Sequence, residues 1–149
     1  MSLAKIKEHL SKNEHNDCDE LYQDGNNEVN NEYSTFDRLR LLHEVVISQQ
    51  IRNESNIKCL FKLGADPTIQ QINGDTALHM AVQQQKINVD IVRALINSQH
   101  SEESPCRKDD KPCICGKKAL LVLNKRQKTP RQLDYISDEV LCCLNMEGI

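Results

Sequence analysis

The chain has no tryptophan, and its only other aromatic residues among 149 are three tyrosines and two phenylalanines. A platform that stacks nucleic-acid bases on interleaved rings is therefore not expected. No apolar run approaches the roughly 20 residues that a membrane-spanning helix requires. The opening stretch from Met1 to Leu10 lacks the apolar h-region, about 7 residues or longer, of a secretory signal. These absences lead us to expect a soluble protein of the cytoplasm or nucleus, in contact with no membrane. Gly-rich phosphate loops, His-Glu-x-x-His strings and nucleophile elbows are missing as well, so no enzymatic activity is expected.

The formal net charge of −3 conceals an uneven distribution. Residues 1–33 carry 3 Lys against 8 Asp or Glu, whereas residues 107–131 carry 9 Lys or Arg against 2 Asp. The acidic stretch includes residues 13–31, which are Asn-rich and nearly devoid of apolar side chains. Such a segment cannot offset its ordering entropy and is expected to be disordered. Leu3, Ile6 and Leu10 ahead of it have the spacing of one short amphipathic helix, which either caps the stack or frays in solvent. The basic shoulder, with Lys117, Lys118, Lys125, Arg126, Lys128 and Arg131, is either a solvated face or an import or nucleic-acid patch.

Asn73-Gly74-Asp75-Thr76-Ala77-Leu78-His79-Met80-Ala81-Val82 holds a turn, a helix start and a helix core in one string. Gly supplies the positive φ of a tight turn, Asp and Thr accept from helix N–H groups, and Leu78, Ala81 and Val82 share a face. A second helix is read from Asn88 to Ile96, with Ile91, Val92, Leu95 and Ile96 apolar. Upstream, Leu41-Leu42-His43-Glu44-Val45-Val46 mirrors residues 77–82 at an offset of 36. That copy runs into Leu63-Gly64-Ala65-Asp66-Pro67, where Gly64 suits a helix C-terminus and Pro67 cannot continue one. Downstream, residues 124–133 carry Thr129-Pro130 as N-cap and first helical residue, with Gln127 in place of the turn glycine. A closing helix is expected over Ser137 to Leu144, in which Cys142 or Cys143 serves as a small hydrophobe.

These strings resemble the ankyrin repeat, whose units of about 33 residues carry Gly-x-Thr-x-Leu-His-x-Ala after a turn. The resemblance spans roughly residues 34–148. It implies an all-α, short ankyrin-repeat solenoid of stacked antiparallel helix pairs, with repeats at about 34–67, 68–99 and 119–148, the third degenerate. A capping box at Ser34–Asp37 is expected to open the first repeat, and Ser48–Ser55 lengthens the turn between its helices. His43 and His79, at equivalent positions, are expected to hydrogen-bond within and between repeats, not to act as general bases. For function, the resemblance implies a non-enzymatic protein-binding module of the kind seen in small regulatory ankyrin proteins. Such proteins inhibit or activate a partner such as a cell-cycle kinase or, in IκB-like fashion, a transcription factor. The surface the resemblance implies is Thr68, Ile69, Gln70, Gln71, Ile72 and Asn73 of the inter-repeat finger, with Met80, Gln83 and Gln84 of the next inner helix. The chain is expected as a monomer or as one subunit of a hetero-complex, its partner being another protein and not nucleic acid.

Thr76 and Thr129 lie 53 residues apart instead of about 33, so some 20 extra residues, 100–118, stand between the second and third repeats. They hold His100, Cys106, Cys113 and Cys115, four soft donors in a donor set that suits tetrahedral zinc. The spacing is Cys-x6-Cys-x-Cys and not the Cys-x(2–4)-Cys knuckle of structural zinc sites. Three readings stand: a reduced, solvent-exposed thiol loop with no cofactor; a zinc site; and a redox-responsive Cys113/Cys115 pair with thiolates favoured by Lys117 and Lys118. The corresponding alternative function is a zinc-dependent or nucleic-acid-associated module working through residues 100–131. The odd total of seven cysteines argues against a fully paired disulfide framework, and most are expected to be thiols or ligands.

Overall fold

A computed structural model describes residues 41–48, 52–84, 87–101, 106, 112–133, 140, 142 and 144. The expected disordered segment, the amphipathic helix at Leu3–Leu10 and the capping box at Ser34–Asp37 lie outside these residues. Five α-helices occur among them: α1 (Leu41–Ile47), α2 (Glu54–Lys62), α3 (Ala77–Val82), α4 (Val89–Asn97) and α5 (Cys115–Lys118). Single 3-10 turns follow at Ala119–Leu121 and Pro130–Gln132. The described residues contain no strand.

Side chains that accept from orphan N–H groups start each of α2, α3 and α4. Asn53 accepts from the Asn56 N–H, Asn88 from the Asp90 N–H, and Thr76 from the His79 N–H. Helix α2 ends as its sequence demands: Gly64 takes φ 95°, and the Ala65 N–H returns to the Leu60 carbonyl at 2.9 Å. In the first repeat α1 packs on α2, in the second α3 packs on α4, and between repeats α1 packs on α3 and α2 on α4. Like thus stacks on like, giving an inner row of short helices and an outer row of longer ones.

The buried apolar set runs unbroken from Leu41 through Ile57, Phe61, Leu78 and Leu95 to Leu120, Leu133, Val140 and Leu144. Val140 and Cys142 are helical and the Leu144 N–H reaches the Val140 carbonyl at 3.0 Å, which places a helical turn inside the expected Ser137–Leu144 element. Cys142 is exposed, so it is not the buried small hydrophobe of that pair. Cys59 departs from the thiol expectation differently: it is buried and disulfide-bonded.

Leu78 is 1% exposed at the centre of the inner row. Leu78→Ala should therefore cost about 2–5 kcal/mol, combining lost transfer energy with a cavity that short helices cannot collapse around. Urea denaturation checks this, as a lower midpoint with an unchanged slope.

Candidate functional site

Two adjoining features carry the chemistry of the chain, a pair of locked fingers on one edge and a histidine–cysteine cluster beside α4.

The fingers are hairpin-like turns ahead of equivalent helix starts. In the second repeat the Gln71 N–H donates to the Asp75 carbonyl at 2.8 Å and the Gly74 N–H to the Gln71 carbonyl at 2.8 Å. In the third, Asn124 and Lys128 form the same pair at 3.0 Å, and Gln127 and Asn124 the same turn at 2.9 Å. Gly74 has φ 81° and Gln127 has φ 61°, so the glutamine is held in the left-handed conformation that glycine adopts freely. A Cβ on Gly74 would also meet the Lys125 backbone nitrogen at 2.6 Å, because the fingers run in contact there.

Polar groups sew the two fingers together. The Lys125 N–H donates to the Asn73 carbonyl at 3.1 Å. The Gln70 amide donates to the carbonyls of Gly74 and Leu123, each at 2.7 Å. Buried Asn124 donates to Asp75 Oδ1 at 2.9 Å and accepts through Oδ1 from the Arg126 and Lys128 N–H groups. Asp75 Oδ2 accepts from Gln83 at 3.1 Å. His79 spans the same junction. Its Nδ1 accepts from the Thr76 N–H at 3.1 Å, which leaves the proton on Nε2 to donate to the Lys128 carbonyl at 2.9 Å. In the third repeat Gln132 takes over the capping half of that role, accepting from the Thr129 N–H at 2.9 Å. His43 Nε2 lies 3.1 Å from the Ile69 carbonyl and joins the first repeat to the second finger.

The expected surface is thereby divided. Ile72 and Asn73 at the finger tip, Gln70 beside them and Gln83 at the end of α3 are exposed, while Thr68, Ile69, Gln71, Met80 and Gln84 are half-buried. Gln70 and Gln83 also hold the structure together through the bonds above. A groove between the tips is lined by Gln71, Ile72, Leu123, Lys125 and Gln127. Leu121 and Leu123 are exposed by about half, and Leu123 lines the groove with Ile72. Neither belongs to the surface expected from the sequence, and their signal is the apolar run Ala119–Leu123 between Lys118 and the turn of the third repeat.

His100, Cys106, Cys113 and Cys115 converge, with one donor atom from each all within 4.8 Å of one another. His100 Nδ1 lies 3.1 Å from Cys106 Sγ and 3.3 Å from Cys113 Sγ, and the two sulfurs are 3.5 Å apart. The other ring nitrogen, Nε2, is 2.6 Å from the Ala65 carbonyl, and the ring stacks on Phe61 with centroids 5.4 Å apart. Gln99 clasps Cys113, donating to its carbonyl at 2.8 Å and accepting from its N–H. The Cys115 N–H donates to Cys113 Sγ at 3.4 Å. Gly116 lets α5 close on the end of α4, since a Cβ there would strike the carbonyls of Leu95 and Ile96. The solvent-exposed thiol loop does not fit, because Cys113 is 3% and His100 8% exposed.

Burial pushes the Cys113 thiol up, but hydrogen bonds from the His100 and Cys115 backbones and from the Cys106 and Cys115 thiols outweigh it and bring it to about 7. Burial, then the neighbouring Cys113 and Cys106, raises Cys115 to about 12. The redox reading, which had Lys117 and Lys118 favouring both thiolates, is thus reversed at Cys115. Packed thiols resist a second negative charge unless a cation joins them.

Residues 52–96, from the approach to α2 through most of α4, match the family model described as ankyrin repeats (many copies). That segment belongs to the ankyrin-repeat family, and the finger and capping geometry carries the pattern on to residue 133. Ankyrin repeats are protein–protein interaction modules that typically have no enzymatic activity. No curated protein and no solved structure matches the chain.

Two outcomes follow from these contacts. Gly116→Ala should pry α5 from α4 and expose Cys113, measurable as faster thiol labelling of Cys113 with Cys142 labelling unchanged. His79 titrates below its ordinary value, chiefly through burial, which outweighs the Lys128 carbonyl and Asp75. The unfolded chain then binds the proton more readily. The stability from neutral His79 is complete above the unfolded value near pH 6.5 and declines as pH falls toward the lower folded value. The melting temperature should drop between about pH 7.5 and about pH 5.5, and drop less in His79→Gln.

Proposed function

We propose that this chain is a small regulatory ankyrin protein that binds one protein partner across its finger tips and inner helices, acting in the cytoplasm or nucleus. The partner is a protein whose activity is blocked or released by occlusion, such as a kinase or a transcription factor. The observation that supports this most is the locked pair of fingers: they are tied to each other by hydrogen bonds, while Ile72 and Leu123 remain exposed at the groove they line. A rigid, apolar-tipped surface loses little entropy on association, and exposed apolar patches mark protein contacts. Lys125 beside the groove and Arg126 at the turn add positive charge, which favours a partner presenting acidic groups around an apolar anchor.

Changing Ile72 and Leu123 together to Ser tests this reading, because neither side chain is in the core. Affinity for the captured partner should fall by about tenfold or more, with the melting temperature unchanged. Undiminished capture would move the interface to the basic residues Lys117, Lys118 and Arg131.

A second reading is favoured by the converging donors of the insertion: the module holds a metal ion at His100, Cys106, Cys113 and Cys115. It is compatible with the first, since the fingers and the cluster share no residue.

A further inference from the structure

Resting on the metal reading, we propose that the ion is a single structural zinc, and that its ligation staples the third finger to the first two repeats. Four features of the chain carry this.

The histidine is set up as a ligand. A carbonyl oxygen only accepts, so the 2.6 Å contact with Ala65 puts the proton on Nε2 and leaves the Nδ1 lone pair for the cluster. Ligating histidines are held in this way, with the distal N–H donated to a carbonyl or carboxylate that fixes tautomer and ring plane. Phe61 closes the face of the ring.

The spacing fits the ion. Zn–S bonds of about 2.3 Å and Zn–N bonds of about 2.0–2.1 Å put tetrahedral ligand atoms roughly 3.5–3.8 Å apart. The separations of 3.1, 3.3 and 3.5 Å among His100, Cys106 and Cys113 are close to those edges, and Cys115 lies within 4.8 Å of the rest. Small outward shifts about a central cation complete the tetrahedron.

The donor set selects the metal. Three sulfurs and one imidazole are soft ligands that suit zinc and disfavour magnesium or calcium. Four protein donors leave no open position, which is the mark of a structural site and not a catalytic one.

The ligands come from separate parts of the fold. His100 is pinned to the turn after α2, Cys113 to Gln99 just beyond α4, and Cys115 to the segment whose Gly116 closes on Leu95 and Ile96. From Cys115 the chain passes through α5 and a 3-10 turn directly into the third finger. One ion therefore fixes where that finger begins, relative to both earlier repeats. A Cys106–Cys113 disulfide is the rival use of these sulfurs.

The experiment uses the full chain purified without chelator and under reduction, and reads elemental content, intact mass and amide hydrogen exchange. About one zinc per chain is expected, lost in Cys115→Ser. Cobalt replacing zinc should show tetrahedral d–d bands and thiolate charge-transfer absorption. Chelator added to the wild-type chain, which avoids any misfolded variant, should speed exchange at Asn124–Lys128 by about tenfold or more while α2 stays protected. Less than about a tenth of an equivalent of metal, with fast labelling of all three cysteines, overturns the metal reading and the staple together. A disulfide between Cys106 and Cys113, located by peptide mapping of chain purified without reductant, does the same. A different metal at full occupancy overturns zinc alone. Full zinc with finger exchange indifferent to chelator leaves the metal reading standing and overturns the staple.

Discussion

The buried imidazole of His79 sets the junction on which the finger surface depends. It is 0% exposed and spends both ring nitrogens on backbone, one on the start of its own helix and one on the Lys128 carbonyl of the next repeat. A helix of six residues such as α3 cannot hold its own start in place by propensity alone. Fixing that start through a side chain that also reaches the neighbouring repeat couples local helix formation to stacking. Asp75 and Asn124 extend the coupling along the fingers, and because each is nearly enclosed, their bonds are stronger than surface ones and costly to leave unmade.

This division of labour separates the two sides of the molecule. The finger edge is held by polar groups satisfied among themselves, which leaves its apolar tips exposed for a partner. The outer-helix side, where α2 and α4 end, is held by apolar packing and by the ring of His100. The cysteine cluster sits on this side, so an ion there can stiffen the stack without covering the finger surface.

Much of the stack was legible in the sequence because the repeat uses residues with narrow physical roles. Gly64 and Gly74 stand where φ is positive, Thr76 and Asn88 where helices begin, and Leu78 and Leu95 where helices pack. The third repeat was harder to read because its side chains differ while its backbone does not: Gln127 occupies the glycine conformation and Gln132 the capping place of the histidine. The cluster was half-legible. Its four donors were identifiable by type, but Cys-x6-Cys-x-Cys lacks the backbone knuckle that usually presets two ligands. Gln99, Gly116 and the Ala65 carbonyl supply that preorganisation, and none of them is recognisable in a pattern of cysteines. The role of Gln70 as a tie between fingers was equally hidden, since only proximity to the Leu123 carbonyl reveals it.

The bond between His100 and Ala65 joins residues 35 apart in sequence, across the whole of the second repeat. A solenoid with contacts only between adjacent units can lose repeats one at a time from either end. Here the second repeat lies inside a loop closed by that bond, so melting it while its ends stay joined gains less chain entropy. Loss of the second repeat is thereby coupled to loss of the contact between its neighbours, and closing that loop adds an entropic cost that contacts between adjacent units alone do not carry.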